Sequence, residues 1–116
     1  MAKKHVNYEG KPPRFSEHLA DANKEFARLK GPERAPLVKA LAAVAKEDPT
    51  APSSADAPSA FDKAIEAFVD AAPSDVRSAA RIVVREAARE CERRGPRWAK
   101  AYLGEALTKG LPALAQ

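Results

Sequence analysis

Large apolar residues recur at spacings of three and four along most of the chain, and prolines and glycines interrupt them at regular intervals. A helix with 3.6 residues per turn places such positions on one face, so the pattern predicts five helices. The first covers about 16–30, with Ser16 as the expected N-cap, and Phe15, Leu19, Ala22, Phe26 and Leu29 form a narrow seam along it. Gly31-Pro32 is its expected stop. The second covers roughly 33–47, with Leu37, Leu41 and Val44 as its buried row, Pro36 in its first turn and Asp48-Pro49 closing it.

Ser59, followed three residues later by Asp62, resembles a capping box and starts the third helix, in which Phe61, Ala64, Ile65, Phe68, Val69 and Ala72 keep the helical period. Pro73-Ser74 turns the chain into a fourth helix of about 75–94 that is expected to bury Val76, Ala79, Ala80, Val83, Ala87 and Cys91. Pro96 opens the fifth, which places Trp98, Ala99, Tyr102, Leu103, Ala106 and Leu107 on one broad face before Gly110 ends it.

No stretch alternates with period two and no hairpin dipeptide occurs. The expected architecture is a single all-α domain: two helical hairpins joined by a Pro/Ala/Ser linker and packed as a small bundle, with an extended basic N-terminal arm. Its parts are the arm (1–15), an N-terminal helical hairpin (16–48), the linker PTAPSSADAP (49–58), a three-helix segment (59–110) and a short apolar tail (111–116).

Composition narrows this picture. Of 116 residues 45% are hydrophobic, but 26 are alanine, and Val, Ile, Leu and Phe together number only 21. The core is therefore thin, and close packing on alanine has to complete it. A shortage of buried surface also makes a homodimer, completed by exchange of hairpins, an expectation. No apolar stretch has the length of a membrane span, and the first fifteen residues have no apolar h-region, so the expected location is cytoplasmic. One cysteine, Cys91, and two histidines, His5 and His18, leave no metal-ligand spacing, and no cofactor motif is present.

The net charge of +4 is unevenly spread: residues 1–16 carry +3, 17–48 balance, 49–72 carry −3 and 73–116 carry +4. Arg77, Arg81, Arg85, Arg89 and Arg93 repeat every four residues and wind a ridge along the fourth helix. Arg89 and Arg93 have glutamates three residues away (Glu86 and Glu92; Glu90) to neutralise them, whereas Arg77, Arg81 and Arg85 have none. An antiparallel hairpin about Ala72-Pro73 would set Asp70, Glu66 and Asp62 opposite those three, with Arg85 the one expected to stay unpaired. If they remain unpaired, Arg77, Arg81, Arg85, Arg97 and Lys100 together with Lys3, Lys4, Lys11 and Arg14 of the arm form a footprint for an acidic protein surface or a phosphate backbone. Trp98, at the edge of its apolar arc, either covers the rim of the core or anchors such a partner.

A helix-turn-helix comparison around Gly95 fails because the helix before it is too long for that motif. Catalytic patterns are absent: His18 has only Asp21 beside it, Cys91 lacks a histidine partner by spacing, and GKPPR lacks the glycines of a phosphate loop. The expectation is a non-enzymatic helical binding protein that acts by protein-protein contact as a regulator, inhibitor or assembly subunit. Nucleic-acid binding through the arm and the arginine ridge is the alternative.

Overall fold

The structure, a computed structural model, describes residues 14–115. Among them are five helices and no strand: α1 (Phe15–Ala27), α2 (Gly31–Lys46), α3 (Ala60–Ala71), α4 (Arg77–Arg94) and α5 (Pro96–Gly110). Short 3₁₀ turns at Ser74–Val76 and Pro112–Leu114 precede α4 and follow α5. The all-α class and the five helices expected from periodicity are found; the greater part of the basic arm, with Lys3, Lys4 and Lys11, lies outside the described residues.

Helix starts shift where glutamate can do the capping. Arg14 rather than Ser16 is the N-cap of α1, and its backbone N–H donates to Glu17 Oε1 at 2.7 Å. At α2 the Lys30 N–H donates likewise to Glu33 Oε1 at 3.2 Å. Gly31-Pro32, expected as a stop, is therefore the first turn of α2, where a missing proline N–H costs nothing. Pro36 falls one turn further in than expected, on an exposed face where the carbonyl it leaves unpaired meets water. The Ser59 box is as expected: Ser59 Oγ accepts from the Asp62 N–H at 3.0 Å, and Asp62 Oδ2 accepts from the Ser59 N–H at 3.4 Å. Gly95 joins α4 to α5 at φ 96°, ψ 167°, a region open in practice only to glycine.

The helices do not pair as two independent hairpins. α2 and α3, on either side of the 49–58 segment, pack most extensively, followed by α1 with α4 and α2 with α5. α1 thus rests on α4, α5 and the last 3₁₀ turn rather than along α2. The physical reason is the three-residue connection, whose extended Lys30 redirects the chain so that both helices turn their apolar rows to a shared core. The proline-rich segment is the turn of the tightest helix pair, and its own hydrogen bonds hold it. Asp48 Oδ1 accepts from the Thr50 N–H and hydroxyl at 2.9 and 2.6 Å, Ser54 and Ala57 exchange backbone bonds at 3.2 Å, and the Ser53 hydroxyl donates to Asp62.

At the centre Phe26 of α1 meets Phe68 of α3 edge to face, with ring centroids 6.1 Å apart at 80°. Leu37, Leu103, Leu111 and Leu114 surround them, fully buried. The last two belong to the segment read as a tail, which instead closes the core. Its Ala113 N–H donates at 2.8 Å to Asn23 Oδ1 on α1. Small residues let a thin core suffice: Ala22, Ala72, Ala80, Ala87 and Ala99 are buried, and α2 approaches α5 so closely that a Cβ on Gly104 would overlap the Ala45 carbonyl. The apolar rows of α1, α2 and α3 all contribute to one core, with Phe61, Ile65 and Val69 of α3 only partly buried against it.

Candidate functional site

Helix α4 departs from its expected inward face: Glu86 and Glu90, on the row that follows Val83, are buried with only 8% and 7% exposure, while Ala79 and Cys91 are half-buried. Two buried carboxylates are costly unless paired and hydrogen-bonded, and here each is served by arginines of its own helix. Glu86 Oε2 accepts from Arg85 Nε at 3.3 Å and from Arg89 Nη1 at 3.4 Å, and its Oε1 lies 3.7 Å from His18 Nε2 on α1. Glu90 receives a fork from Arg93, Nε to Oε1 at 3.2 Å and Nη2 to Oε2 at 2.8 Å, and a third bond from Arg94 Nε to Oε2 at 2.6 Å. Burial pushes the Glu90 carboxyl up, but the Arg94 and Arg93 hydrogen bonds and their charges outweigh it, so its pKa lies below the ordinary carboxylate value.

These pairs form the floor of a groove of about 730 Å³ between the start of α1, α4 and α5. Phe15 stands on one wall and Trp98 on the other, with the Arg94 guanidinium carbon 5.1 Å from the Trp98 ring centroid, a cation–π contact. Four lining arginines, Arg14, Arg89, Arg93 and Arg94, face two glutamates, so the groove carries two positive charges in excess. The carboxylates are buried but the Arg89, Arg93 and Arg94 side chains remain 68%, 65% and 46% exposed. Each buried anion thus holds guanidinium groups that remain largely open to solvent and keep further N–H donors.

The residues singled out from the sequence are dispersed. Arg14 and Trp98 both line the groove, and Arg97 is exposed on α5. Lys100 Nζ lies 4.0 Å from Asp48 Oδ2. The ridge does not act as one: Arg77 Nη2 donates to the Ala72 carbonyl at 2.8 Å and braces the α3–α4 turn, and Arg85 turns to Glu86. Arg81 is exposed and makes no ion pair among the described residues. The expected partners of this trio are not used. Asp62 is engaged by Ser59 and Ser53, and Glu66 and Asp70 are exposed without an ion pair among the described residues, so Arg85, expected to stay unpaired, is paired from its own helix.

Sequence reasoning treated Arg89 and Arg93 as neutralised and missed Phe15 and the burial of Glu86 and Glu90. The signal was available: Glu86 and Glu90 follow Val83 by three and seven residues, on the row that buries Ala80 and Ala87. Among the described residues no group of side chains is suited to hold a metal ion and no helix is long and apolar enough to cross a membrane. No protein-family model matches the chain, and comparisons with curated proteins and with solved structures gave no match.

Proposed function

We propose that the chain is a cytoplasmic, non-enzymatic binding module that engages an acidic segment of a partner protein in the α1–α4–α5 groove. The carrying observation is the pair of buried glutamates that hold arginines whose side chains remain exposed. Guanidinium groups fixed in advance lose less entropy when they take a partner's carboxylates, which is why such an array favours recognition. Phe15 and Trp98 flank it and offer an apolar side chain of the same segment a place between them. The free thiol of Cys91 suits a reducing compartment. The nucleic-acid alternative has less to rest on because Arg77 is committed to the Ala72 carbonyl, so the trio does not present one continuous ridge.

A fluorescein-labelled peptide alternating Glu with Leu and Phe, followed by anisotropy, tests the reading. We expect saturable binding that weakens by about tenfold or more in Arg93→Gln and in Trp98→Ala, as loss of a charge-assisted contact or an aromatic anchor requires. Equal binding of a peptide with Lys in place of Glu overturns it. So does displacement by a duplex oligonucleotide with a steep salt dependence, the mark of phosphate recognition.

A further inference from the structure

On the opposite flank of α4 lies a second recess of different chemistry. It is a cavity of about 270 Å³ between α2, α3, α4 and α5, walled chiefly by Phe61, Ile65, Val84, Leu41 and Leu107, with the Cys91 thiol facing it. We propose that this cavity is a binding site for a small, uncharged, largely apolar molecule the size of a two-ring aromatic, bearing one hydroxyl group.

The size follows from volume. An enclosed apolar cavity of about 150 Å³ takes benzene, and this partly open recess, apolar but for Asp62 on its wall, is nearly twice as large. Filling it returns dispersion contacts that its lining side chains lack when it is empty. The chemistry follows from the single ionisable carboxylate on the wall. Asp62 receives the Ser59 N–H and the Ser53 hydroxyl on the same oxygen, Oδ2, and Oδ1 is left to accept a further hydrogen bond. A hydroxyl group of the ligand supplies that donor, whereas an anionic head group would meet a like charge. Cys91 adds a small polarizable wall and no competing charge, since burial and the neighbouring Glu90 hold it in the thiol form. The site is independent of the groove, which opens on the other side of α4 through different side chains.

1-Naphthol and its anionic counterpart 1-naphthoate, titrated by calorimetry against the full chain, test the proposal. The expected result is saturable 1:1 binding of 1-naphthol, at least about tenfold tighter than 1-naphthoate, as exclusion of a charge from an apolar site demands. Ala88→Phe, at an exposed position on the lip of the cavity, is expected to remove that binding while the helical circular dichroism persists. Naphthol is also expected to slow alkylation of Cys91 by iodoacetamide in the unmodified chain, a readout that stands even where Ala88→Phe does not fold. Absence of saturable naphthol binding, equal binding of the two compounds, or unprotected Cys91 at saturating naphthol overturns the proposal.

Discussion

Glu90 and Cys91 are neighbours in sequence, yet they serve recesses on opposite flanks of α4, and burial acts on them with opposite outcomes. For Glu90 the penalty of burial is overcome by three arginine hydrogen bonds, and the carboxyl stays ionised more readily than in water. For Cys91 no donor compensates, so burial, with the charge of Glu90 beside it, pushes the thiol up. The same helix thus lines a cationic groove on one side and a largely apolar cavity on the other. The difference lies in what each face can offer a charged group.

The largest effect is expected from the core on which all five helices pack. Phe26 and Phe68 pack edge to face in the core, with 0% and 1% exposure, and Phe68 also lines the cavity. Phe26→Ala leaves a void that the alanine-rich surroundings cannot fill, and the expected loss is about 3–5 kcal/mol of unfolding free energy, a large part of what a small domain has. Urea unfolding followed by circular dichroism measures it. A loss under about 1 kcal/mol would mean that the aromatic pair does not carry the core.

A smaller effect separates the sides. Gly104→Ala places a Cβ against the Ala45 carbonyl, and since that atom is backbone, α2 and α5 must move apart. Overpacking of this kind costs about 1–3 kcal/mol. Leu41 of α2 and Leu107 of α5 wall the cavity, whereas α2 contributes nothing to the groove. We therefore expect the variant to lose stability and to expose Cys91 to alkylation while keeping its affinity for the acidic peptide. Parallel loss at both recesses would show that they are not separable.

How much of this was legible in the sequence follows the same division. Apolar period and proline spacing located every helix, because those signals are local, and the Ser59–Asp62 box was readable to the atom. The partner of each helix was not readable. That α1 rests on α4 depends on the redirection at Lys30, and the burial of Leu111 and Leu114 depends on a space left between α1 and α2. Prolines 49, 52 and 58 read as a spacer, but the bonds of Asp48, Ser53 and Ser54 make the segment an ordered turn. At the site, the sequence made each arginine look neutralised or unpaired by counting neighbours. It did not reveal that the glutamates were inside, which converts the same ion pairs from surface ornaments into a preset array of donors.

The smallest expected effect sharpens the comparison most, because it acts across the single peptide link between Glu90 and Cys91. Glu90→Gln keeps the shape and removes the charge. Arg93 and Arg94 lose their common partner, but their heads are well exposed, so the stability cost at neutral pH is about 1 kcal/mol. The sign of the pH dependence is fixed by the direction of the shift. A carboxyl held below its unfolded value stabilises the fold above that unfolded value, about pH 4.3, and the contribution disappears as pH falls through the folded pKa. The wild-type chain should therefore lose more stability on acidification below about pH 4.5 than Glu90→Gln does, measured by urea midpoints across pH 3–6. Across the link, loss of the negative charge should let the Cys91 thiol ionise at lower pH, so the midpoint of its alkylation rate against pH moves down. An unmoved midpoint would leave burial alone to set the thiol, and the two recesses would then be electrically as well as sterically separate.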